Sequence, residues 1–406
     1  MNRVLSKNIN YLDLNDLLVS MIGILICIAS CLDCFYTRDF SNYTFNKLYR
    51  YSVYVIVLVC IVKLVIDCFV TNGKVYPVIA CMLFVFVYVS FVSWVFDLLS
   101  FRYLIVDNLA WILVFCVFYM YGYRQQFNDQ GLQRVLIFGT ICFYIACMPN
   151  LLRHISNTDG RGGAISSLYF GLSFLEAILT VCTRKVRVLF VLITGMMILF
   201  STKRAGFVVF ALGMLFYLFI DAVIEEKADE RFQKYCRILL ILTFAVIIGL
   251  AAIEIFNIGI LDRFASISED GGSGRDGIWE MILDRYRASN QIHKIFGYGF
   301  HAVPELVHPD GRYIFAHNGF IEVLFDFGIV GLTGMIAGIA WLFYLTVCMI
   351  RERMHEAGIM GFILVHIMMF TMTSYLFEES RVILPMCIAC GICVGHYHRK
   401  ISGIEL

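Results

Sequence analysis

The chain has 406 residues, 60% hydrophobic and only 16% charged, with a mean hydropathy of +0.80. Water-soluble domains carry about 25 % charged residues. A chain this poor in charge lacks the polar surface of an aqueous globule and reads as one solvated by lipid. Its net charge of +1 excludes the basic footprint of a nucleic-acid binder.

A bilayer-crossing helix needs about 20 mostly apolar residues. The first such run is Leu17–Tyr36. Asp13 and Asp16 precede it and no small-residue cleavage site follows, so this helix is expected to be retained and not removed as a signal peptide. Tyr51–Val70, Val75–Phe96, Tyr103–Met120 and Val135–Leu152 come next, then Ala164–Cys182 and Val186–Phe200. Val186–Phe200 and the next run, Gly206–Ile220, are the short spans, and they flank the polar turn Ser201-Thr-Lys-Arg-Ala205. Ile238–Phe256 leads into a long polar loop, Asn257–Ala316. Phe320–Ile350, Ile359–Phe377 and Val382–Tyr397 close the series. Phe320–Ile350 is longer than a bilayer requires, so tilt or a partial surface helix is expected there. The reading is an all-α, polytopic bundle of about twelve transmembrane helices. It divides into residues 1–256, the loop 257–316 and the last three helices, 317–406.

Lys and Arg are richer in the loops that hold Arg3, Lys7, Lys74, Arg124, Arg134, Arg184 to Arg187, Lys227 to Arg237, Arg351 and Arg399 than in the alternate set. By the positive-inside rule both termini are cytoplasmic and the long loop faces outward. Within that loop, Gly271, Gly272 and Gly274 form a turn, and Ile278, Met281, Ile282 and Arg285 recur at helical spacing.

The 15 cysteines fall in apolar runs, among them Cys27, Cys31, Cys60, Cys81, Cys142 and Cys147, and the loop has none. That pattern does not indicate a disulfide framework. Cys387, Cys390 and Cys393 lie along one helix face and read as packing residues, with a metal site as the alternative. Charges inside the spans need partners or water. Lys63 and Asp67, four apart, can pair on one face, and Glu176 is more isolated. Asp97 and Glu254 lie near span ends.

Three polar stretches on the outer side are candidates for chemistry. Lys203-Arg204 is either a headgroup-level basic pair or an anion clamp, since a guanidinium fork suits phosphate oxygens. Arg275, with Gly274 at the start of the loop helix, could hold the same anion or pair with Asp270, Asp276 or Glu280. His317 stands where the loop re-enters the membrane, and its unperturbed pKa of about 6.5 suits proton transfer. Asn318 either orients it or caps the following helix. The other loop histidines, His293, His301 and His308, lack the spacing of a metal motif. Asp310 and Arg312 shape the loop mouth.

Together, Ser201-Thr-Lys-Arg204-Ala-Gly206, Ser273-Gly-Arg275-Asp-Gly-Ile-Trp279, Gly297-Tyr-Gly299-Phe, and Ala316-His317-Asn318-Gly319-Phe320-Ile-Glu-Val-Leu324 with Phe327-Gly328 resemble the bacterial O-antigen ligase and polysaccharide polymerase superfamily. Thr202 and Lys203 separate Ser from Arg in the first stretch, a departure from that family's pattern. The resemblance covers about Val186 to Val347 by motif. It implies glycosyl transfer from an undecaprenyl-diphosphate-linked oligosaccharide at the outer face of the bacterial inner membrane. Donor and acceptor glycans and membrane lipids are its partners, with room for a chain-length regulator, and it calls for neither cofactor nor metal. Arg204, Arg275 and His317 map onto the essential residues. Lys203, Asn318, Glu176, Trp279, Tyr298, His301 and Arg312 are expected around the substrate. The preferred reading is an O-antigen polymerase. The alternatives are a ligase that passes glycan to lipid A–core, or a lipid-linked glycan flippase, which inverted or parallel repeats would favour.

Overall fold

The structure, a computed structural model, describes residues 2–36, 43–70, 76–98, 100–124, 130–156, 166–255, 275–306 and 315–403. In chain order its principal helices are α1 (Asn2–Tyr36), α2 (Tyr43–Val70), α3 (Pro77–Val95), α4 (Phe101–Arg124) and α5 (Gln130–Ser156). Then follow α6 (Gly171–Val181), α7 (Arg184–Ser201), α8 (Arg204–Val223) and α9 (Ala228–Ile255). The loop carries α10 (Arg275–Ala288), α11 (Gln291–Phe296) and α12 (Ala302–Leu306). The chain ends with α13 (Gly319–Arg351), α14 (Glu356–Thr373) and α15 (Ser380–Ile401).

The protein is an all-α, multi-pass membrane bundle, and 10 of these helices are long and apolar enough to cross a bilayer. The two remaining expected spans correspond to α6 and α7. The 11 residues of α6 rise about 16 Å, half of a hydrocarbon core of about 30 Å. The first turn of α7 carries Arg184, Lys185 and Arg187, a charged end of the kind that sits at a membrane boundary.

The chain forms two compact units. The first comprises Met1–Met82, Ile105–Met197 and Ser380–Leu406. Here α15 packs on α4 and α6, and α1 packs on α2 and α5. Small residues bring α4 and α15 into backbone contact: a Cβ on Gly122 would stand 2.4 Å from the Ile392 carbonyl oxygen, and one on Gly395 2.2 Å from that of Tyr119. Cys387, Cys390 and Cys393 are buried along α15. Lys63 and Asp67 pair at 2.6 Å on α2, and Arg124 joins Asp67 at 2.9 Å, so each of these charges has a partner. Arg381 pairs with Asp33 at 2.9 Å and lies over the Phe170 ring.

The second unit comprises Leu83–Leu104 and Ile198–Glu379. In it α14 packs on α8 and α13, and the loop helices gather on α13. The 33 residues of α13 would rise about 50 Å if straight. Instead the helix breaks at Gly328 (φ 64, ψ −162). From Gly328 to Arg351 the rise is about 34 Å, enough to span. At the other end of the broken helix, a Cβ on Gly319 would stand 2.9 Å from Thr371 and 3.3 Å from Ser374, where α14 ends. The excess length of the expected Phe320–Ile350 run is thus absorbed by a kink.

The loop explains why the break falls there. Tyr298 N–H and Gly299 N–H donate to the carbonyls of Phe325 and Asp326 at 3.2 and 2.8 Å. Backbone meets backbone: a Cβ on Gly297 would stand 2.2 Å from the Asp326 oxygen, and one on Gly328 2.3 Å from that of Ile295. Gly297 and Gly328 both have positive φ, so glycine is required twice over, by space and by conformation.

Candidate active site

The site assembles at one end of α8, α10, α13 and α14, all within the second unit. Ser201 shapes the turn before α8: its hydroxyl donates to the Ile198 carbonyl at 2.7 Å and accepts from Lys203 N–H at 3.2 Å, while Thr202 takes a positive φ of 51. Lys203 and Arg204 therefore sit at the mouth of α8. Arg275 opens α10, and its Nη1 donates to the Thr373 carbonyl at 3.0 Å. That carbonyl is one of the acceptors a helix end leaves open.

His317 lies just before α13 with a positive φ of 51. Side chains hold the preceding residue from both directions. Ala316 N–H donates to Glu322 Oε2 at 2.8 Å, and Trp279 Nε1 donates to the Ala316 carbonyl at 2.7 Å. Glu322 is fully buried, and its other oxygen meets no donor among the described residues. Asn318 accepts from Phe320 and Ile321 N–H at 3.0 and 3.3 Å. Of its two expected roles, the structure uses the helix cap.

Electrostatics groups these residues. Burial, and then the charge of Arg204, lowers the proton affinity of Arg275. Burial, then Arg275, then Lys203, holds His317 below the ordinary histidine range. Lys203, Arg204, Arg275 and His317 therefore share one half-buried neighbourhood: three cations beside an imidazole kept neutral. Such a cluster can bind a multiply charged anion and accept a proton next to it.

The other candidates fall around or away from this group. His301 is buried with φ 66 and stacks on Tyr103 at 3.9 Å. Tyr298 stacks on His293 at 3.9 Å, and its hydroxyl shares a hydrogen bond with Ser289 at 2.7 Å. Tyr298 forms part of the loop's own packing, and His301 packs the loop against the start of α4. Glu176 is buried in α6, in the first unit. Arg312, His308, Asp310, Ser273 and Gly274 lie outside the described residues.

Two carboxylates that the sequence reading left without a role support the loop. Besides Glu322, fully buried Asp326 accepts from the backbone of His301, Ala302 and Val303 at 3.1–3.3 Å and caps α12. Their signal was a pair of acids four apart inside an otherwise apolar run, an expensive arrangement unless backbone amides meet them.

No curated protein matches the chain. Residues 189–336 match the family model Wzy_C, described as O-antigen ligase. The segment begins in α7, takes in the Ser201–Arg204 turn, the long loop and His317, and ends in α13 beyond the Gly328 kink. This segment, which holds all four clustered side chains, is thus similar to the O-antigen ligase family.

Proposed function

We propose that the protein transfers a glycan from a polyprenyl-diphosphate carrier to an acceptor hydroxyl at the outer face of the membrane, with inversion and without a metal. The similarity of residues 189–336 to a family described as O-antigen ligase supports the substrate class. What carries the reading is the grouping at one end of the second unit: Arg275 and Lys203 near His317, and Arg204 near Arg275.

In this reading the diphosphate lies among Lys203, Arg204 and Arg275. The acceptor oxygen forms its bond to the anomeric carbon as the bond from that carbon to the phosphate oxygen breaks. The electron pair leaves on the diphosphate, where negative charge grows, and the guanidiniums bind that charge more strongly in the transition state than in the ground state. His317 takes the acceptor proton. An imidazolium would be useless here, so the neighbouring cations that lower its proton affinity also keep it competent as a base at neutral pH. The isoprenoid tail stays in the apolar phase between or beside the helices, consistent with chemistry at a membrane boundary.

Two acceptors fit this chemistry. The sequence alone favoured a growing lipid-linked glycan, making the protein a polymerase. The matched family is described as O-antigen ligase, which favours transfer to lipid A–core instead, and we place ligase first. Purified protein in proteoliposomes, supplied with lipid-linked repeat units with and without lipid A–core, separates the two. A ligase makes glycosylated lipid A–core and no ladder on lipid-linked units alone, whereas a polymerase makes that ladder unaided. Loss of neither product in Arg275→Ala and His317→Ala would remove both residues from the proposed site.

A further inference from the structure

Helix α11 is an amphipathic helix turned outward. Asn290 caps it by accepting from His293 N–H at 2.9 Å, and Gly297 ends it with φ 79. Its inner side is polar or aromatic. The His293 ring lies 3.9 Å from that of Tyr298 and 4.5 Å from that of Phe96, and His293 Nδ1 bonds the Gly297 carbonyl at 2.9 Å. The Lys294 carbonyl accepts from the Tyr286 hydroxyl at 2.8 Å. The apolar residues face the other way. Ile292, Ile295 and Phe296, at the i, i+3, i+4 spacing of one helix stripe, are 60%, 42% and 42% exposed. A helix on an aqueous domain does the opposite, directing that stripe to the core.

The flanks of the stripe identify what covers it. The Ile295 carbonyl abuts Gly328, the point where α13 begins its membrane-crossing limb, and the next residues, Ile329 and Val330, are 55% and 41% exposed. Phe96, in contact with His293, continues from α3, whose Trp94 and Val95 are 63% and 47% exposed. Both α3 and α13 are membrane spans, so those open side chains face acyl chains. The stripe on α11 therefore continues a lipid-facing surface on two sides. Its depth agrees: Gly328 stands about 34 Å of helix rise from Arg351, at the far edge of a hydrocarbon core of about 30 Å.

We propose that Ile292, Ile295 and Phe296 are seated in the acyl-chain edge of the bilayer leaflet on the loop's side, making α11 an interfacial anchor. The long loop is then a membrane-attached roof, tied down between Arg275 and His317. Interfacial helices bind this way, with an apolar edge sunk below the headgroups and polar residues above. This inference is independent of the glycosyl-transfer reading, because it makes no use of the cation cluster.

Photocrosslinking tests it without an activity readout. The photoreactive residue p-benzoylphenylalanine replaces Ile292, Ile295 or Phe296 in turn in the full chain, reconstituted in vesicles of phosphatidylethanolamine and phosphatidylglycerol. Leu240 on α9, 59% exposed on a membrane span, serves as the lipid-facing control, and Asp284 on α10, 63% exposed, as the aqueous one. Ile292 is the most exposed of the three and so the least disruptive to replace, and three positions guard against one misfolded variant. The expected result is phospholipid adducts at the stripe in yields like those at Leu240, with none at Asp284. Yields no higher than at Asp284 would overturn the proposal. So would adducts to a second copy or another polypeptide in place of lipid.

Discussion

Replacing Glu322 by alanine removes the acceptor that holds Ala316 N–H at 2.8 Å, one residue before His317. Ala316 is itself fully buried, so water cannot take over the lost contact. A buried donor left bare costs about 1–3 kcal/mol. If that strain is relieved by letting the His317 segment shift, and the loss falls on the transition state, turnover drops about 5- to 150-fold. Glutamine at the same position keeps an oxygen that can accept from Ala316, and its amide nitrogen takes the place of an oxygen that meets no donor among the described residues. Glu322→Gln is therefore expected to retain most activity. The assay is glycan transfer in proteoliposomes, with kcat and KM separated and folded protein quantified by size-exclusion chromatography. Because Glu322 acts through His317, the loss should lie in kcat with little change in KM for the lipid-linked donor. Equal loss in the Gln and Ala variants, or full turnover in the Ala variant, would refute the clamp.

Trp279→Phe keeps most of the ring packing and deletes only the 2.7 Å bond to the Ala316 carbonyl. A loss of about 1 kcal/mol, or about five-fold in kcat, is expected from the same assay. Lys203→Met removes one of the cations that hold His317 below its ordinary range. The reactive imidazole is the neutral form, so activity is full above its depressed pKa and falls as pH drops through it. Without Lys203 that pKa rises, and the acid limb of the kcat/KM profile moves to higher pH; an unmoved limb would separate Lys203 from His317. Gly328→Ala forces a side chain into a backbone conformation that glycine alone adopts readily, at a strain of about 1–3 kcal/mol, with its Cβ 2.3 Å from the Ile295 oxygen. Thermal challenge followed by size-exclusion chromatography should reveal early loss of folded protein. Gly334→Ala, with nothing within 4 Å, should melt like the parent.

The sequence disclosed what depends on local composition. Apolar runs located the spans, and polar residues at their ends brought Lys203, Arg204, Arg275 and His317 forward as candidates. The Lys63–Asp67 pair was legible because four residues is one helix turn. Arg124, which completes it, is 57 residues away from Asp67 in the chain and left no local trace. The Gly328 kink was hidden for a similar reason. Hydropathy counts apolar residues without regard to direction, and the backbone that presses on Gly328 belongs to Ile295, in a different helix. Asn318 could be read two ways because orienting His317 and capping the following helix draw on the same amide. Only the positions of the Phe320 and Ile321 amides decide for the cap. Glu322 and Asp326 looked like misplaced charges, since their partners are main-chain amides that carry no sequence signature.

Binding of a diphosphate-bearing isoprenoid tests the central claim most directly. Farnesyl diphosphate, titrated calorimetrically against purified protein and its Arg204→Ala, Arg275→Ala and His317→Ala variants, separates anion capture from proton transfer. Both arginine variants should lose affinity, whereas the His317 variant should bind the diphosphate as the parent does and fail only in turnover. Undiminished binding in both arginine variants would contradict the account, because the cation cluster would then have no diphosphate to hold.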